Sequence, residues 1–318
     1  MAHELSTNQQ GQIEMAYAGE RPWHKLGTQV PGLMTTSEAL KAAHLNWEVD
    51  KVPILSSLDL SPVPNHYTVV RKDTNQPLGV VGNRYTPISN AEAFKFFDAA
   101  LGKGQGQIET IGALGQGERV WCLAQMPDTF EAIKGDPVER FLLCWTSHDG
   151  SKSMEVMFTS IRVVCNNTLN AALQGASHKF SIRHTVNFES KVNQAARMLY
   201  TSKRYWEKMK EACQHLAHQS VTRVEVGMFL EAMFPSMNDD GTIKPRVPEG
   251  RSKVIRLMDE GRGANLPGVR GTKWGLYNAY TEYLDHESKI RKGVNRWERS
   301  IFGSVSRGRN DAMSLLLQ

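Results

Sequence analysis

"SHDGSKSMEVMFTSIRVVCNNTLNAAL", Ser147 to Leu173, is the stretch on which the reading of this chain turns. Asp149-Gly150 is a preferred pair for a two-residue hairpin turn, because both central residues need positive φ. The pair predicts that "RFLLCWTS", residues 140–147, folds back on "SMEVMFTSIRVV", residues 153–164. His148 then faces Ser151, Thr146 faces Ser153 and Cys144 faces Glu155. Met154, Val156 and Phe158 share one face, and the apolar parity changes after Ser160, which predicts a bulge or burial on both faces. At the junction Cys165-Asn166-Asn167-Thr168, a nucleophilic cysteine needs a lowered pKa and a nearby base. No histidine stands close in sequence, and His178 and His184 serve only if the fold returns them, so a structural Cys165 is favoured. Asn167 reads as the cap of a short helix "TLNAAL" ending at Gly175, with Asn166 left-handed before it. A helix start beside Arg162 also offers an anion cradle; plain capping is the favoured reading.

Outward from this hairpin the earlier chain is α+β. A helix is expected over Thr36–Leu45 and a strand over Trp47–Leu55. "NHYTVVRKDTNQPLGVVGNRYTPIS", residues 65–89, gives two strands about an Asp-Thr-Asn-Gln-Pro turn. The helix "NAEAFKFFDAAL" follows, with Asn90 as a plausible cap and Ala93, Phe94, Phe97 and Leu101 as its apolar stripe. Two strands, Gln107–Leu114 and Arg119–Met126, flank "GQGE". Beyond His184 the pattern turns helical. One long amphipathic helix is expected over residues 188–217, a second from the cap Thr222, and others over Arg251–Glu260, Thr272–Glu287 and, broken, from Asn295 onward. The fold class expected is α+β: a mainly antiparallel curved sheet with packed helices over 1–186, then a helical, basic region over 187–318.

The 318 residues are 40% hydrophobic and 22% charged, an ordinary globular composition. The opening twenty residues have no apolar core or basic leader, and no apolar run is long enough for a membrane span, so a cytoplasmic protein without a membrane partner is expected. Cys122, Cys144, Cys165 and Cys213 form no Cys-x-x-Cys pair and read as reduced, buried residues. Residues 1–186 hold 16 Lys+Arg against 18 Asp+Glu, whereas 187–318 hold 22 against 15. A basic end of this kind points to a polyanionic partner, nucleic acid above all.

Three constellations bear on function. "RPWHKLG" sets Arg21 and Lys25 about Trp23, an arm able to stack a base, though an arm pinned by a buried Trp23 is favoured. In "GTKWGLYNAYTEYLDHE", residues 271–287, rings occupy two sides of a helix, so it is expected between elements or at a subunit contact. Glu282, Asp285 and His286 there are weak metal candidates; His-Glu-x-x-His is absent, and no cofactor is expected. In the tail, Arg291, Lys292, Arg296, Arg299, Arg307 and Arg309 surround Trp297 and Phe302, a pattern suited to single-stranded nucleic acid, with Arg162 as a further candidate contact. "GKGQGQIETIGALGQGE", residues 102–118, lacks the Gly-Lys-Ser/Thr of a P-loop. No catalytic constellation is evident, and the balance leans away from an enzyme.

"RPWHKLG", "YTVVRKD" with "GNRYTPI", the "HDG" turn, "RVVCNNTLNAAL" and "GTKWGLYNAYTEYLDHE" together resemble the phage/plasmid-like protein family built on an uncharacterised domain, domain of unknown function 932. The resemblance covers nearly the whole chain. It brings no activity and no catalytic residues; it implies a setting on phages and plasmids, hence DNA replication, recombination or element maintenance. The first expectation is therefore an accessory protein binding single-stranded DNA, with annealing or recombination mediation as its role. A non-enzymatic oligomerisation or partner-binding module, self-associating through the Trp274–Tyr283 rings, is the alternative. A metal-dependent enzyme on nucleotides or nucleic acid, using Glu282, Asp285 and His286, is the third.

Overall fold

Ser/Thr-x-x-Glu sequences start helices in this chain. Thr35 and Glu38 close a reciprocal capping box ahead of α1 (Thr36–Ala42), and Ser89 and Glu92 do the same ahead of α2 (Asn90–Leu101). Asn90 is thus not the cap expected of it: Ser89 takes that role, and Asn90 turns inward and is buried. The computed structural model describes residues 5–19, 26–102, 107–162, 167–169, 179–198, 202–238, 240–243, 249–289 and 304–318.

The fold is α+β, as expected. Strands β1 (Met15–Ala18), β2 (Thr28–Val30), β6 (Ile108–Leu114), β7 (Arg119–Glu131), β8 (Pro137–Ser147), β9 (Met154–Arg162) and β10 (Asn167–Leu169) form one sheet in the order β10-β9-β8-β7-β6-β1-β2, and β11 (Lys179–Ile182) also pairs with β9. β1 and β2 pair in parallel, Ala16 opposite Thr28, whereas β6 pairs antiparallel with both β1 and β7. β3 (Val49–Leu55), β4 (Pro62–Arg71) and β5 (Gln76–Gly82) form a separate antiparallel sheet. β8 is buried from Arg140 to Ser147, so "RFLLCWTS" is buried on both faces and needs no alternation.

Two expectations about the central stretch are corrected. The hairpin loop spans 148–153 rather than two residues, and of its central pair only Gly150 has positive φ, 75°. The cause is the Asp149 carboxylate, which accepts from the Ser147 hydroxyl and from Ser151 N at 2.8 Å and so builds a wider Asx-type turn. Asn167 does not cap a helix: Asn167, Thr168 and Leu169 pair antiparallel with Arg162, Ile161 and Ser160, making a further hairpin. Cys165, Asn166 and residues 170–175 lie outside the described residues.

By its contacts the chain divides into two units, and each takes several segments. The first comprises Met1–Met126, Phe141–Phe158 and Lys179–Thr201; the second, Pro127–Arg140, Thr159–His178 and Ser202–Gln318. The boundary expected at 186/187 is therefore crossed in both directions. α3 (Phe188–Met198) packs on α2 in the first unit, while α4 (Ser202–Ala217), expected to continue it, belongs to the second.

In the first unit Arg71 is the main polar tie. It is 1% exposed, forks onto the buried Glu14 carboxylate, donates from Nε to Asp73 Oδ1 at 2.7 Å, and lies 4.3 Å from the Trp47 ring. In the second unit α5 (Arg223–Met233) starts from the capping box of Thr222 and Glu225, as expected, and α6 (Glu249–Glu260) precedes α7 (Lys273–Glu282), which Thr272 caps. α7 opens into a π-type turn over Tyr283–Glu287, and α8 (Ser304–Leu316) ends the chain. Every residue from Trp274 to Glu282 is buried. Its rings fill this unit's own core, Tyr280 against Phe229 and Phe234, Trp274 against Tyr277. The Trp274–Tyr283 stripe is thus occupied internally and not offered as a subunit contact.

Candidate functional site

The first unit holds 15 Lys+Arg and 15 Asp+Glu, the second 23 and 18, so the whole net charge of +5 resides in the second. Much of the second unit's cation is committed. Arg251 pairs with Glu231, Arg256 with Glu287 and Glu260, Arg270 with Asp259, and Lys253 and Lys289 with Glu249. Neither Lys134 nor Lys210 makes an ion pair among the described residues.

These two lysines line an open groove of about 550 Å³ with His218, Gln214, Glu131 and Phe130. Lys210 and Gln214 stand four apart on α4, and His218, one residue past its end with its N–H bonded to Gln214 O at 3.1 Å, continues the same face. The opposite wall is the turn between β7 and β8, closed by Asp136 N–H to Ile133 O at 3.0 Å and Ala132 N–H to Asp136 O at 3.1 Å. The turn is held from below, since Trp274 Nε1 donates to the buried Asp136 carboxylate at 2.8 Å. It is held from the side by Gln214 Nε2, which donates to Glu131 O at 3.1 Å. Phe130 packs 4.8 Å from Trp206, whose ring lies under the Arg140 guanidinium at 5.5 Å. The wall is thus fixed by buried groups while Lys134 on it is exposed and Lys210 facing it is half-buried. The two lysines give the groove a net positive lining able to take an anionic chain.

The residues singled out in the sequence fare unequally. Arg162 ends β9, its backbone opposite Asn167. Arg307 is exposed on α8. Arg309 is corrected: it is 0% exposed and its guanidinium forms a buried ion pair with Asp285, so its side chain is not open to nucleic acid. Two residues apart on a helix are about 200° apart around its axis, which sends Arg307 to water and Arg309 to the core. Arg291, Lys292, Arg296, Trp297, Arg299 and the arm residues Arg21, Trp23 and Lys25 lie outside the described residues.

The metal candidates are divided among other tasks. The Glu282 carboxylate accepts from Arg262 N at 3.0 and 3.3 Å, Asp285 holds Arg309, and His286 is exposed. Among the described residues no group of three metal-ligating side chains converges.

A second polar cluster, in the first unit, went unseen in the sequence because its members are far apart in the chain. Asn90 Nδ2 donates to Leu45 O at 3.0 Å, which leaves Asn90 Oδ1 to accept from His148 Nε2–H at 2.8 Å. Thr146 Oγ1 lies 2.9 Å from His184 Nε2, and Tyr85 stacks on His184 at 5.1 Å. Both imidazoles are buried and neutral. Burial pushes His148 down to about 3, helped by His184 and Arg71 against the pull of Asp149, and pushes His184 down to about 4. Burial also makes Cys122 and Cys144 reluctant thiols, their pKa values raised. No helix among the described residues is long and apolar enough to cross a membrane.

The sequence signal for the groove was the spacing of Lys210, Gln214 and His218. It was masked by the general amphipathicity of α4, and Lys134 arrives from another segment altogether. Comparison with known proteins adds a family and nothing further. No curated protein and no solved structure matches the chain. Residues 77–302, more than two thirds of the chain, match the family described as domain of unknown function (DUF932), and the protein belongs to that family.

Proposed function

We propose that this protein binds nucleic acid, single-stranded DNA in preference to duplex, through its second unit. The observation that carries this reading is the segregation of charge: the second unit holds the whole excess of cations, and one groove in it is lined by Lys134 and Lys210, neither in an ion pair among the described residues, against the single carboxylate of Glu131. Phosphates are held as point charges by such lysines, and the condensed counterions they displace supply the affinity. The basic tail with Trp297 adds the alternation of cation and ring that single strands favour. No bond is made or broken in this mechanism. In the cell the protein acts in the cytoplasm as an accessory of a phage or plasmid, and strand annealing or recombination mediation is the activity that fits a sequence-tolerant grip on one strand. The mobile-element setting rests on the motif resemblance alone.

The test is a fluorescent oligonucleotide titrated with protein at increasing salt. Binding is expected to weaken with a slope in log K against log salt of about −0.7 for each phosphate neutralised. Unlabelled single strand is expected to compete better than duplex. Affinity independent of salt, or no binding at low salt, overturns the proposal.

A further inference from the structure

The three-stranded sheet presents apolar side chains for which its own folding gives no reason. Leu58 is 95% and Leu60 72% exposed in the β3–β4 loop, with Leu55 beside them at the end of β3. On the outer face Val52 and Val80 flank Thr68 in one cross-strand row and are exposed as well. The tip is well built. Ser56 N donates to Ser61 O at 2.8 Å, Leu60 N to Ser56 O at 3.0 Å, and Asp59 Oδ1 accepts from both the hydroxyl and the N–H of Ser61. Leu60 has φ 58°, a conformation that asparagine or glycine adopts at less cost. A leucine that is both strained and exposed is a feature to be explained by what it meets.

A second unexplained apolar face lies on α5 in the other unit. Val224 is 72% and Met228 68% exposed, one helical turn apart on the same face. Arg223 stands beside Val224, exposed and in no ion pair among the described residues, at the positive end of the helix dipole. The tip, from Val52 to His66, has Asp59 as its one acidic residue and no Lys or Arg, and its hydrogen bonds with Ser61 hold that carboxyl below the usual range.

From this pairing we infer that the protein associates with a second copy of itself head to tail, the Leu58–Leu60 tip of one copy docking on the Val224/Met228 face of α5 in the next. Charge selects this arrangement. Two tips meeting would oppose two Asp59 carboxylates, whereas tip on helix sets Asp59 against Arg223, the start of α5 itself being closed by Thr222 and Glu225. Each contact uses the tip of one copy and the helix face of the other, so a pair joined by one contact still carries one free tip and one free helix face and grows into a ring or an open chain. The apolar surface involved is small beside the roughly 1,200 Å² of a standard stable interface, so association depends on concentration. It goes beyond the nucleic-acid reading and is tested without nucleic acid.

Sedimentation velocity of the whole protein over a wide concentration range is expected to show growth beyond the dimer. Leu58→Ser with Leu60→Asn is expected to weaken it about tenfold or more, as loss of two buried leucines implies. Leu60→Asn also suits the positive φ, so this variant keeps its fold by circular dichroism. Mixing Leu58→Cys with Val224→Cys protein under mild oxidation is expected to give a cross-linked pair containing one of each. A monomer at every concentration, self-association unchanged in the double variant, or efficient cross-linking of Leu58→Cys with itself overturns the inference.

Discussion

Arg71 shows how a motif that looks functional is used for structure. In "YTVVRKD" a cation beside a carboxylate resembles a binding pair. In the fold its guanidinium is fully engaged by Glu14, Asp73, the Gln116 carbonyl and the Trp47 ring. Only arginine fills this position: its planar fork meets a carboxylate bidentately while the face stacks on indole, and lysine can do one or the other. Removing it leaves Glu14, itself 0% exposed, as an uncompensated buried charge. Arg71→Ala is therefore expected to destabilise the first unit by about 3–5 kcal/mol. Arg71→Ala with Glu14→Gln is expected to recover part of that loss. Chemical denaturation of the single and double variants measures both, and equal stabilities for wild type and Arg71→Ala would remove this reading of the clamp.

Among elements, those whose ends are set by local chemistry were legible in the sequence, and those set by distant partners were not. The caps Thr222 and Thr272 and the strands of the three-stranded sheet follow from neighbours in the chain. Asn90 misled because a good capping residue one position late is indistinguishable, by type alone, from a buried amide that reaches Leu45 and His148. The turn at Asp149-Gly150 was located but mis-sized, since its width depends on Ser147, Ser151 and the approach of β5. A Cβ at Gly79 would lie 2.4 Å from the Asp149 carbonyl oxygen, so the loop is docked directly on that strand. The same docking puts His148 and His184 in the dark and yields a pH dependence. Both have folded-state pKa values below the ordinary 6.5, so the unfolded chain binds more protons between those limits. The stability they contribute is complete above about pH 6.5 and is lost as pH falls toward about 4 and then 3, at roughly 1.4 kcal/mol per pH unit for each histidine over that window. Urea midpoints measured from pH 7 to pH 4.5 are expected to drop steadily, and less steeply in His184→Gln. A flat profile would mean that the imidazoles are not held neutral.

At the scale of the molecule the decisive property is where charge is left over after pairing. Sequence counts showed the basic end but could not separate Arg307 from Arg309, one in water and the other locked on Asp285, nor bring Lys134 beside α4. That distinction yields a quantitative expectation. Lys134→Glu with Lys210→Glu changes one exposed and one half-buried side chain, neither in an ion pair among the described residues, so thermal stability is expected to stay near the roughly 0.5 kcal/mol usual for surface changes. Binding of a single-stranded oligonucleotide is expected to weaken, and its dependence on log salt to become shallower by about 0.7 for each phosphate contact removed. Arg270→Glu is the control, because that guanidinium already faces Asp259 in the same unit. If the control weakens binding as much as the groove variant does, only the unit's overall field matters. If neither changes the slope, the strand does not run past Lys134 and Lys210.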